Sequence, residues 1–252
     1  MKAAKNEGLR VLVCGAYGRT GKRVIQKINE DSRFQLSGAI DKTRSPEGGV
    51  FRCAAPSFFE SLVKTSDVTV EFTVPDAALK FAKASAKAGK PIVIGTTGFS
   101  RSQLKQIRKT AEQIPVFMSP NMSPAANLMF AVVRYMAAKL YKFDISINEI
   151  THSRQSDIPT GTALELMKSA ASGRSGNFIP EISSMRSGDT VGEQTVIYAG
   201  PFERLEIRHI TQSFELFAYG ALEAAYWITR RHKPGIYSFM DLMGISEIIE
   251  KK

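Results

Sequence analysis

The feature that most constrains the fold is a glycine-rich turn near the start of the chain. An apolar run, residues 11–14, leads into Gly15, Gly18 and Gly21, and a helical pattern follows them. At such a turn, glycines permit a tight bend, let the backbone approach a pyrophosphate and allow the helix to pack closely on the strand. Because phosphates would meet the positive helix terminus, the motif predicts a dinucleotide-binding unit of the Rossmann type. The alternative is a turn with only a structural role.

The first half of the chain alternates short apolar runs with helical patterns, as a parallel sheet with crossover helices requires. The predicted strands are residues 10–14, 35–40, 67–72, 91–95 and 115–118. The predicted helices between them are residues 20–29, 77–88 and 101–113. The fold class is therefore α/β, with a Rossmann-type parallel sheet in a dinucleotide-binding domain over residues 1–122.

The pattern changes after Asn121, where a long apolar helix leads into alternating strands rather than further crossover units. The predicted helices are residues 125–141, 163–171 and 220–232, with a further helix start at 238–242. The predicted strands are residues 145–150, 195–199, 204–211 and 213–218. Residues 123–232 are therefore predicted to form a C-terminal α+β domain with an antiparallel or mixed sheet.

The net charge of +10 does not by itself indicate nucleic acid, because the Lys and Arg residues are scattered and no nucleic-acid-binding motif accompanies them. A solvated basic surface is the simplest interpretation, and it also suits anionic ligands. No apolar run approaches the ~20 residues of a membrane-spanning helix, so no membrane partner is expected. Two cysteines and a polar beginning favour the cytoplasm. The three histidines lack metal-ligand spacing, so no metal is expected.

Two further features indicate how a coenzyme would bind. Asp41, twenty residues after Gly21, can accept hydrogen bonds from ribose hydroxyls, whereas the adjacent Lys42 can tolerate a 2′-phosphate, so NADH and NADPH both stay open. The segments 95–98 and 119–122 follow predicted strands, at the sheet edge where ligands collect, and are expected beside the nicotinamide. The alternatives are a solvated strand end and plain strand-to-helix turns.

A polar loop and a helix start follow the predicted strand 145–150. Thr160, Gly161 and Thr162 would present backbone N–H groups and hydroxyls at a helix N-terminus, which suits a substrate carboxylate. The alternative is a helix cap without a ligand.

Taken together, these motifs resemble those of the dihydrodipicolinate reductase family of lysine and diaminopimelate biosynthesis. The resemblance covers nearly the whole chain, and its motifs occur in the expected order at residues 15–21, residues 95–98, Asn121 with Asn127, and residues 157–163, 188–193 and 203–207. It implies a Rossmann domain, a domain for substrate binding and homotetramer formation, and a final segment, residues 233–252, that packs back onto the first domain. It also implies hydride transfer from NADH or NADPH to a small cyclic dicarboxylate.

The resemblance also assigns residues. Those implied to contact the coenzyme are Gly15, Ala16, Tyr17, Gly18, Arg19, Thr20, Asp41, Lys42, Gly95, Thr96, Thr97, Ser119, Pro120, Asn121 and Met122. Those implied to contact the substrate are His152, Gly161 and Thr162.

Three positions depart from the family pattern. Thr151 stands where the family has its proton-transferring histidine, Gln155 where it has a lysine, and Phe214 where it has an arginine. Neither a threonine hydroxyl nor a glutamine amide titrates near neutral pH, so His152 or an ordered water would have to supply the proton.

The lost cations leave open how the substrate carboxylates are held. Arg154 is either a partial replacement, gripping a carboxylate through two hydrogen bonds, or a solvated loop charge. Three hypotheses follow: a reductase of the family substrate, a catalytically weak or regulatory dinucleotide-binding relative, and a reductase of a different cyclic imine.

Overall fold

A computed structural model describes residues 8–42, 51 and 53–245. The strands are, in chain order, β1 (Leu9–Cys14), β2 (Phe34–Ile40), β3 (Val68–Glu71), β4 (Ile92–Ile94), β5 (Pro115–Met118), β6 (Asp144–Thr151), β7 (Glu181–Arg186), β8 (Gly192–Ala199), β9 (Arg204–Thr211) and β10 (Gly235–Tyr237). The helices are α1 (Arg19–Glu30), α2 (Phe59–Thr65), α3 (Pro75–Lys87), α4 (Arg101–Ala111), α5 (Pro124–Lys139), α6 (Gly161–Ser172), α7 (Glu215–Ile228) and α8 (Phe239–Leu242).

The described residues form two compact units. The first unit contains the described residues up to Met122 together with residues 217–242, and the second contains residues 123–216 together with the described end of the chain from Met243. Among the described residues, no helix is both long enough and apolar enough to pass through a membrane.

The first unit is built on a six-stranded sheet in the order β10-β5-β4-β3-β1-β2. All of its strand pairs are parallel, which confirms the predicted Rossmann-type sheet. Helices on both faces bury the central strands, so these read as continuous apolar runs. Strand β2 pairs with β1 on one side of it, and the next strand in the chain, β3, pairs with β1 on the other side. The strand order therefore reverses its direction at β1. Ligands collect at such a reversal, at the carboxyl ends of the strands.

Helix α7 corrects the prediction of a strand at residues 213–218, because the chain is helical from Glu215 to Ile228. Residues 213–218 are so apolar that their hydrophobic pattern does not distinguish a strand from a buried helix. Trp227 and Tyr226 of α7 pack edge-on against Phe117 and Phe34 of the first sheet. Most of α7 therefore groups with the first unit, whereas the sequence placed it in the second domain.

Three short elements were absent from the sequence prediction: α2, β7 and β10. Strand β10 pairs with β5, from Gly235 beside Pro115 to Tyr237 beside Phe117, and so extends the first sheet. The tail was predicted to pack on the first domain, and its residues 246–252 lie outside the described part of the chain.

The second unit contains a four-stranded sheet in the order β7-β6-β8-β9. Strands β6 and β7 are parallel and the other pairs antiparallel, so the sheet is of the mixed type that the sequence allowed. Helices α5 and α6 contribute Val133 and Leu166 to a core with Ile147 and Tyr198. The Tyr198 hydroxyl donates to the Val133 carbonyl oxygen at 2.9 Å, which satisfies the buried phenol.

Candidate functional site

The glycine loop joins β1 to α1 at the carboxyl edge of the first sheet. The N–H groups of Gly15 and Ala16 donate to the Ile40 carbonyl oxygen at 2.9 and 3.1 Å, and the Gly18 N–H donates to the Gly15 carbonyl oxygen at 2.9 Å. Gly15 has a φ of 77°, a conformation that side chains disfavour. A Cβ there would lie 2.2 Å from the Phe72 carbonyl oxygen. The loop is therefore a close-packed cradle that only glycine permits.

Helix α1 begins at this loop with its first N–H groups available. Its N-cap is Gly18, so no side chain caps the helix, and its first turn contains no acidic residue. A Cβ on Gly21 would lie 2.1 Å from the Gly15 carbonyl oxygen, which explains the close approach of helix and loop. Uncapped N–H groups and the positive end of the helix dipole together favour a phosphate. Arg19 and Thr20, the first two residues of α1, stand at this end.

A cavity of about 340 Å³ lies beside the loop. Its walls are the glycine loop, the end of β2 and the segment after β3, with Gly15, Tyr17, Gly18, Ile40, Asp41, Lys42, Pro56, Phe72, Thr73, Val74, Ala77 and Phe81 as lining residues. The Asp41 carboxylate accepts the Tyr17 N–H at 2.9 Å, and the Tyr17 ring stacks on Phe51 at 5.2 Å between ring centroids. The predicted Asp41 and Lys42 thus stand at a cavity that the glycine loop also lines.

The segment after β4 contains the predicted residues Gly95, Thr96 and Thr97. A Cβ on Gly95 would lie 2.1 Å from the Phe72 ring, so this position also excludes a side chain. The Thr96 hydroxyl is buried, accepts the Thr73 N–H at 2.9 Å and donates to Glu71 Oε1 at 2.7 Å. Thr97 is exposed.

Glu71 is a buried carboxyl group that sequence analysis missed. It ends β3, and its Oε1 also accepts the N–H and hydroxyl of Thr73. Burial raises the pKa of the Glu71 carboxyl, and the hydrogen bonds from Thr73 and Thr96 oppose that rise. Burial and the nearby Glu71 charge likewise raise the pKa of the Cys14 thiol well above its usual value. A glutamate within the predicted strand 67–72 was the available signal in the sequence.

The segment after β5 contains the predicted Ser119, Pro120, Asn121 and Met122. The Ser119 N–H donates to the Ile94 carbonyl oxygen at 3.3 Å, and its hydroxyl donates to the Asn121 carbonyl oxygen at 2.7 Å. Ser119 and Met122 are buried, whereas Pro120 is exposed. The coenzyme residues predicted after β1, β2, β4 and β5 therefore share the carboxyl edge of one parallel sheet.

In the second unit, the predicted catalytic residue Thr151 ends β6, and His152 and Gln155 follow it. Thr151 is buried, and neither its hydroxyl nor the Nδ1 of His152 has a hydrogen-bond partner among the described residues. The His152 ring lies edge-on to Phe214, with 6.4 Å between ring centroids. The Gln155 amide donates to the Asp157 carbonyl oxygen at 3.3 Å. Arg154 is exposed and makes no ion pair within the described chain.

Glu149, which lies on β6 two residues before Thr151, fixes the start of α6. It is 1% exposed, and its carboxylate accepts the Thr160 N–H at 2.9 Å, the Thr160 hydroxyl at 2.6 Å and the Ser184 hydroxyl at 2.7 Å. The Thr160 hydroxyl in turn accepts the Ala163 N–H at 3.3 Å. Gly161 and Thr162 therefore stand at a helix start that a buried carboxylate holds in place. Sequence analysis missed Glu149, which only its inward position on β6 would have signalled.

His209 on β9 is a third group that the sequence did not single out. Its Nε2 lies 3.5 Å from the Ser123 hydroxyl, and its Nδ1 has no hydrogen-bond partner among the described residues. Burial lowers the pKa of His209, which favours the neutral ring. Within the part of the chain that the structure describes, no group of three or more His, Cys, Asp or Glu side chains is arranged to hold a metal ion.

A glycine cradle, an uncapped helix start and an acidic strand end at the reversal of a parallel sheet define a Rossmann-type dinucleotide-dependent oxidoreductase. The family model for the N-terminus of dihydrodipicolinate reductase matches residues 9–122, and the model for its C-terminus matches residues 125–243. The chain therefore belongs to the dihydrodipicolinate reductase family, whose members are NADH- or NADPH-dependent reductases. This confirms the family and the coenzyme class that the sequence predicted.

Full-length relatives support the same assignment. A 4-hydroxy-tetrahydrodipicolinate reductase of Methanopyrus kandleri is 37% identical, with 92% of this chain and 96% of the relative covered. One from Aquifex aeolicus is 36% identical, with 94% and 99% covered. The structure of a dipicolinate-bound dihydrodipicolinate reductase from Paenisporosarcina sp. TG-14 aligns with a TM-score of 0.79 at 20% identity, covering 94% of this chain and 99% of the other. That similarity confirms the fold class.

Proposed function

We propose that this chain catalyses the NADH- or NADPH-dependent reduction of 4-hydroxy-tetrahydrodipicolinate to tetrahydrodipicolinate, a step in lysine and diaminopimelate biosynthesis. The observation that carries the proposal is the match of both family models, which together extend over residues 9–122 and 125–243. The test is oxidation of each reduced coenzyme by purified protein supplied with freshly generated substrate.

The first unit would bind the coenzyme, which supplies the hydride when bound. The cradle fits a pyrophosphate, because glycine at positions 15 and 21 allows the tight turn and the close packing of loop and helix that such a site requires. A Cβ at either position would collide with a backbone carbonyl oxygen. The uncapped start of α1 would receive the phosphate charge. Asp41 and Lys42 would face the adenosine ribose, and the segments after β4 and β5 would hold the nicotinamide.

The second unit would bind the dicarboxylate. The start of α6, at Gly161 and Thr162, would receive one carboxylate, because the helix dipole favours an anion there. Arg154 would pair with the other carboxylate, since its guanidinium is exposed and has no ion-pair partner in the described residues.

His152 would deliver the proton that completes the reduction, in which hydride from the coenzyme takes the place of the 4-hydroxyl group and that group leaves as water. Thr151 and Gln155 cannot supply it, because neither side chain titrates near neutral pH. An imidazole can act as a general acid, and the Nδ1 of His152 has no hydrogen-bond partner among the described residues.

A second candidate function is a catalytically weak or regulatory relative that binds dinucleotide, and the observation that favours it is the pair Thr151 and Gln155. A family histidine and lysine are absent there, which removes both a general acid and a cation. Slow or absent turnover by a protein that still binds coenzyme would favour this candidate. Turnover of another cyclic imine, without turnover of the family substrate, would favour the third hypothesis, a reductase of a different cyclic imine.

Coenzyme preference is expected to depend on Asp41 and Lys42. Asp41→Asn keeps an oxygen that accepts the Tyr17 N–H but removes the charge that repels a 2′-phosphate. We expect the ratio of kcat/KM for NADPH to that for NADH to rise about tenfold, or about 1.4 kcal/mol. The reciprocal variant, Lys42→Gln, is expected to lower the same ratio. Steady-state kinetics with both coenzymes provide the measurement, and an unchanged ratio in both variants would remove these residues from the ribose site.

We also propose that the chain forms a homotetramer in the cytoplasm. In support, strand alternation places Met185 and Ile210 on the face of the second sheet opposite α5 and α6, and these side chains are 54% and 48% exposed. Exposed apolar side chains on one face favour association. Light scattering during gel filtration is expected to give four times the 27.7 kDa chain mass, and a monomeric mass would contradict the proposal. The cytoplasmic assignment is supported by the free thiols of Cys14 and Cys53.

A further inference from the structure

Glu71 connects two segments of the first unit that follow neighbouring strands. It ends β3 in register with Cys14 of β1 and Ile94 of β4, so it stands in the middle of the sheet's carboxyl edge. Its side chain is fully buried. None of the roles assigned so far uses this carboxyl group.

The hydrogen bonds of Glu71 join the segment after β3 to the segment after β4. Oε1 accepts the N–H and the hydroxyl of Thr73 on one side, and the hydroxyl of Thr96 at 2.7 Å on the other. The same Thr96 oxygen accepts the Thr73 N–H at 2.9 Å, which closes the network. The Phe72 ring occupies the space where Gly95 lacks a Cβ. The two segments are therefore held in one fixed relation by polar and apolar contacts.

Burying a carboxyl group to connect the two segments is unfavourable for the stability of the fold. Its other oxygen, Oε2, is buried and has no hydrogen-bond partner among the described residues. An unsatisfied buried oxygen lowers the stability of the fold. The network lies where Thr73 lines the cavity beside the glycine loop and where Thr96 belongs to the predicted nicotinamide side. Function at this edge, rather than stability, accounts for its position.

We propose that Glu71 is a positioning residue of the coenzyme site, whose carboxyl group holds the Phe72–Val74 segment against the Gly95–Thr97 segment in the geometry that the nicotinamide end requires. The inference rests on the proposed function only in taking the nicotinamide to lie beside Gly95–Thr97. Glu71 acts through Thr73 and Thr96 and does not itself touch the reacting atoms. Its loss should therefore weaken coenzyme binding more than substrate binding.

The test is calorimetric binding of NADH and NADPH to full-length variants. Glu71→Leu removes the oxygen that accepts from the Thr73 N–H, the Thr73 hydroxyl and the Thr96 hydroxyl, so we expect the Kd of the preferred coenzyme to rise at least thirtyfold. Glu71→Gln keeps an oxygen that accepts the same donors, and we expect a loss of threefold or less. Thr69→Val is the matched control, because Thr69 is buried on the same face of β3 and its hydroxyl has no partner in the described residues. Its Kd should equal that of the parent.

If Glu71 had only a structural role, its loss would weaken the binding of coenzyme and of the substrate-site ligand to a similar extent. We expect the KM for coenzyme to rise in Glu71→Leu, while kcat and the Kd for dipicolinate, used as the substrate-site probe, change less than threefold. Parallel loss of both affinities, or an unchanged coenzyme Kd, would overturn the inference. If Glu71→Leu does not fold, the isosteric Thr96→Val decides, with an expected rise in coenzyme Kd of three- to tenfold and an unchanged value as the contrary result. If the parent itself binds neither NADH nor NADPH, the proposed function fails and this inference with it.

Discussion

Gly15→Ala is expected to raise the Kd for coenzyme at least about a hundredfold, or about 2.7 kcal/mol. Gly15 has a φ of 77°, and an added Cβ would lie 2.2 Å from the Phe72 carbonyl oxygen. Neither the loop nor the segment after β3 can give way cheaply, since the added Cβ would meet backbone atoms in a closely packed region. The glycine loop would therefore shift away from the pyrophosphate position. Calorimetric titration with NADH and NADPH measures the loss.

Gly89→Ala provides the matched control for backbone strain. Gly89 also has a positive φ, 66°, but an added Cβ would meet no atom within 4 Å. Strain of roughly 1–3 kcal/mol is expected in the unfolding free energy of both variants, whereas the loss of coenzyme binding should occur only in Gly15→Ala. Equal coenzyme affinity in the two alanine variants would show that the turn is merely structural.

Thr151→His combined with Gln155→Lys is expected to raise kcat about a hundredfold. The parent lacks a general acid at these positions, and a positioned acid contributes roughly 10²–10⁴-fold to rate. The added lysine would also supply a cation for a substrate with two carboxylates. Because the imidazole must be protonated to act as an acid, kcat of the double variant should fall as pH rises through the imidazole pKa. The pH dependence of kcat in parent and variant tests this.

The control for the double variant is Ser153→His, which adds an imidazole to an exposed position of the same loop. It should leave kcat within about threefold of the parent. Activity that appears only in the double variant, from an inactive parent that binds coenzyme, would support the regulatory candidate. A double variant no faster than a fully active parent would show that His152 or water already suffices.

The coenzyme half of the molecule was the more predictable part. The spacing of Gly15, Gly18 and Gly21 depends on local backbone sterics, and parallel strands buried on both faces read directly as apolar runs. The same reasoning failed where local pattern was ambiguous. The apolar start of α7 fits both the two-residue period of a strand and the 3.6-residue period of a helix. Strand β10 contains only Gly235–Tyr237, which is too short to show either period.

The polar groups that organise the site were the least predictable. Glu71 and Glu149 each matter because residues distant in sequence, Thr96 and Ser184 among them, meet their oxygens in the folded chain. Strand alternation on β6 shows that Glu149 faces inward, but the partners of both carboxyl groups depend on the pairing of strands and the path of loops. His209 likewise depends on a residue distant in sequence, since its Nε2 lies 3.5 Å from the Ser123 hydroxyl.

The central claim is that this chain transfers hydride from a reduced nicotinamide coenzyme to 4-hydroxy-tetrahydrodipicolinate. The most direct measurement follows NADH and NADPH oxidation by purified protein with freshly generated substrate, alongside calorimetric titration of each coenzyme. The account predicts saturable binding of at least one coenzyme and its oxidation in step with substrate consumption. Absence of both binding and oxidation at millimolar coenzyme would contradict it.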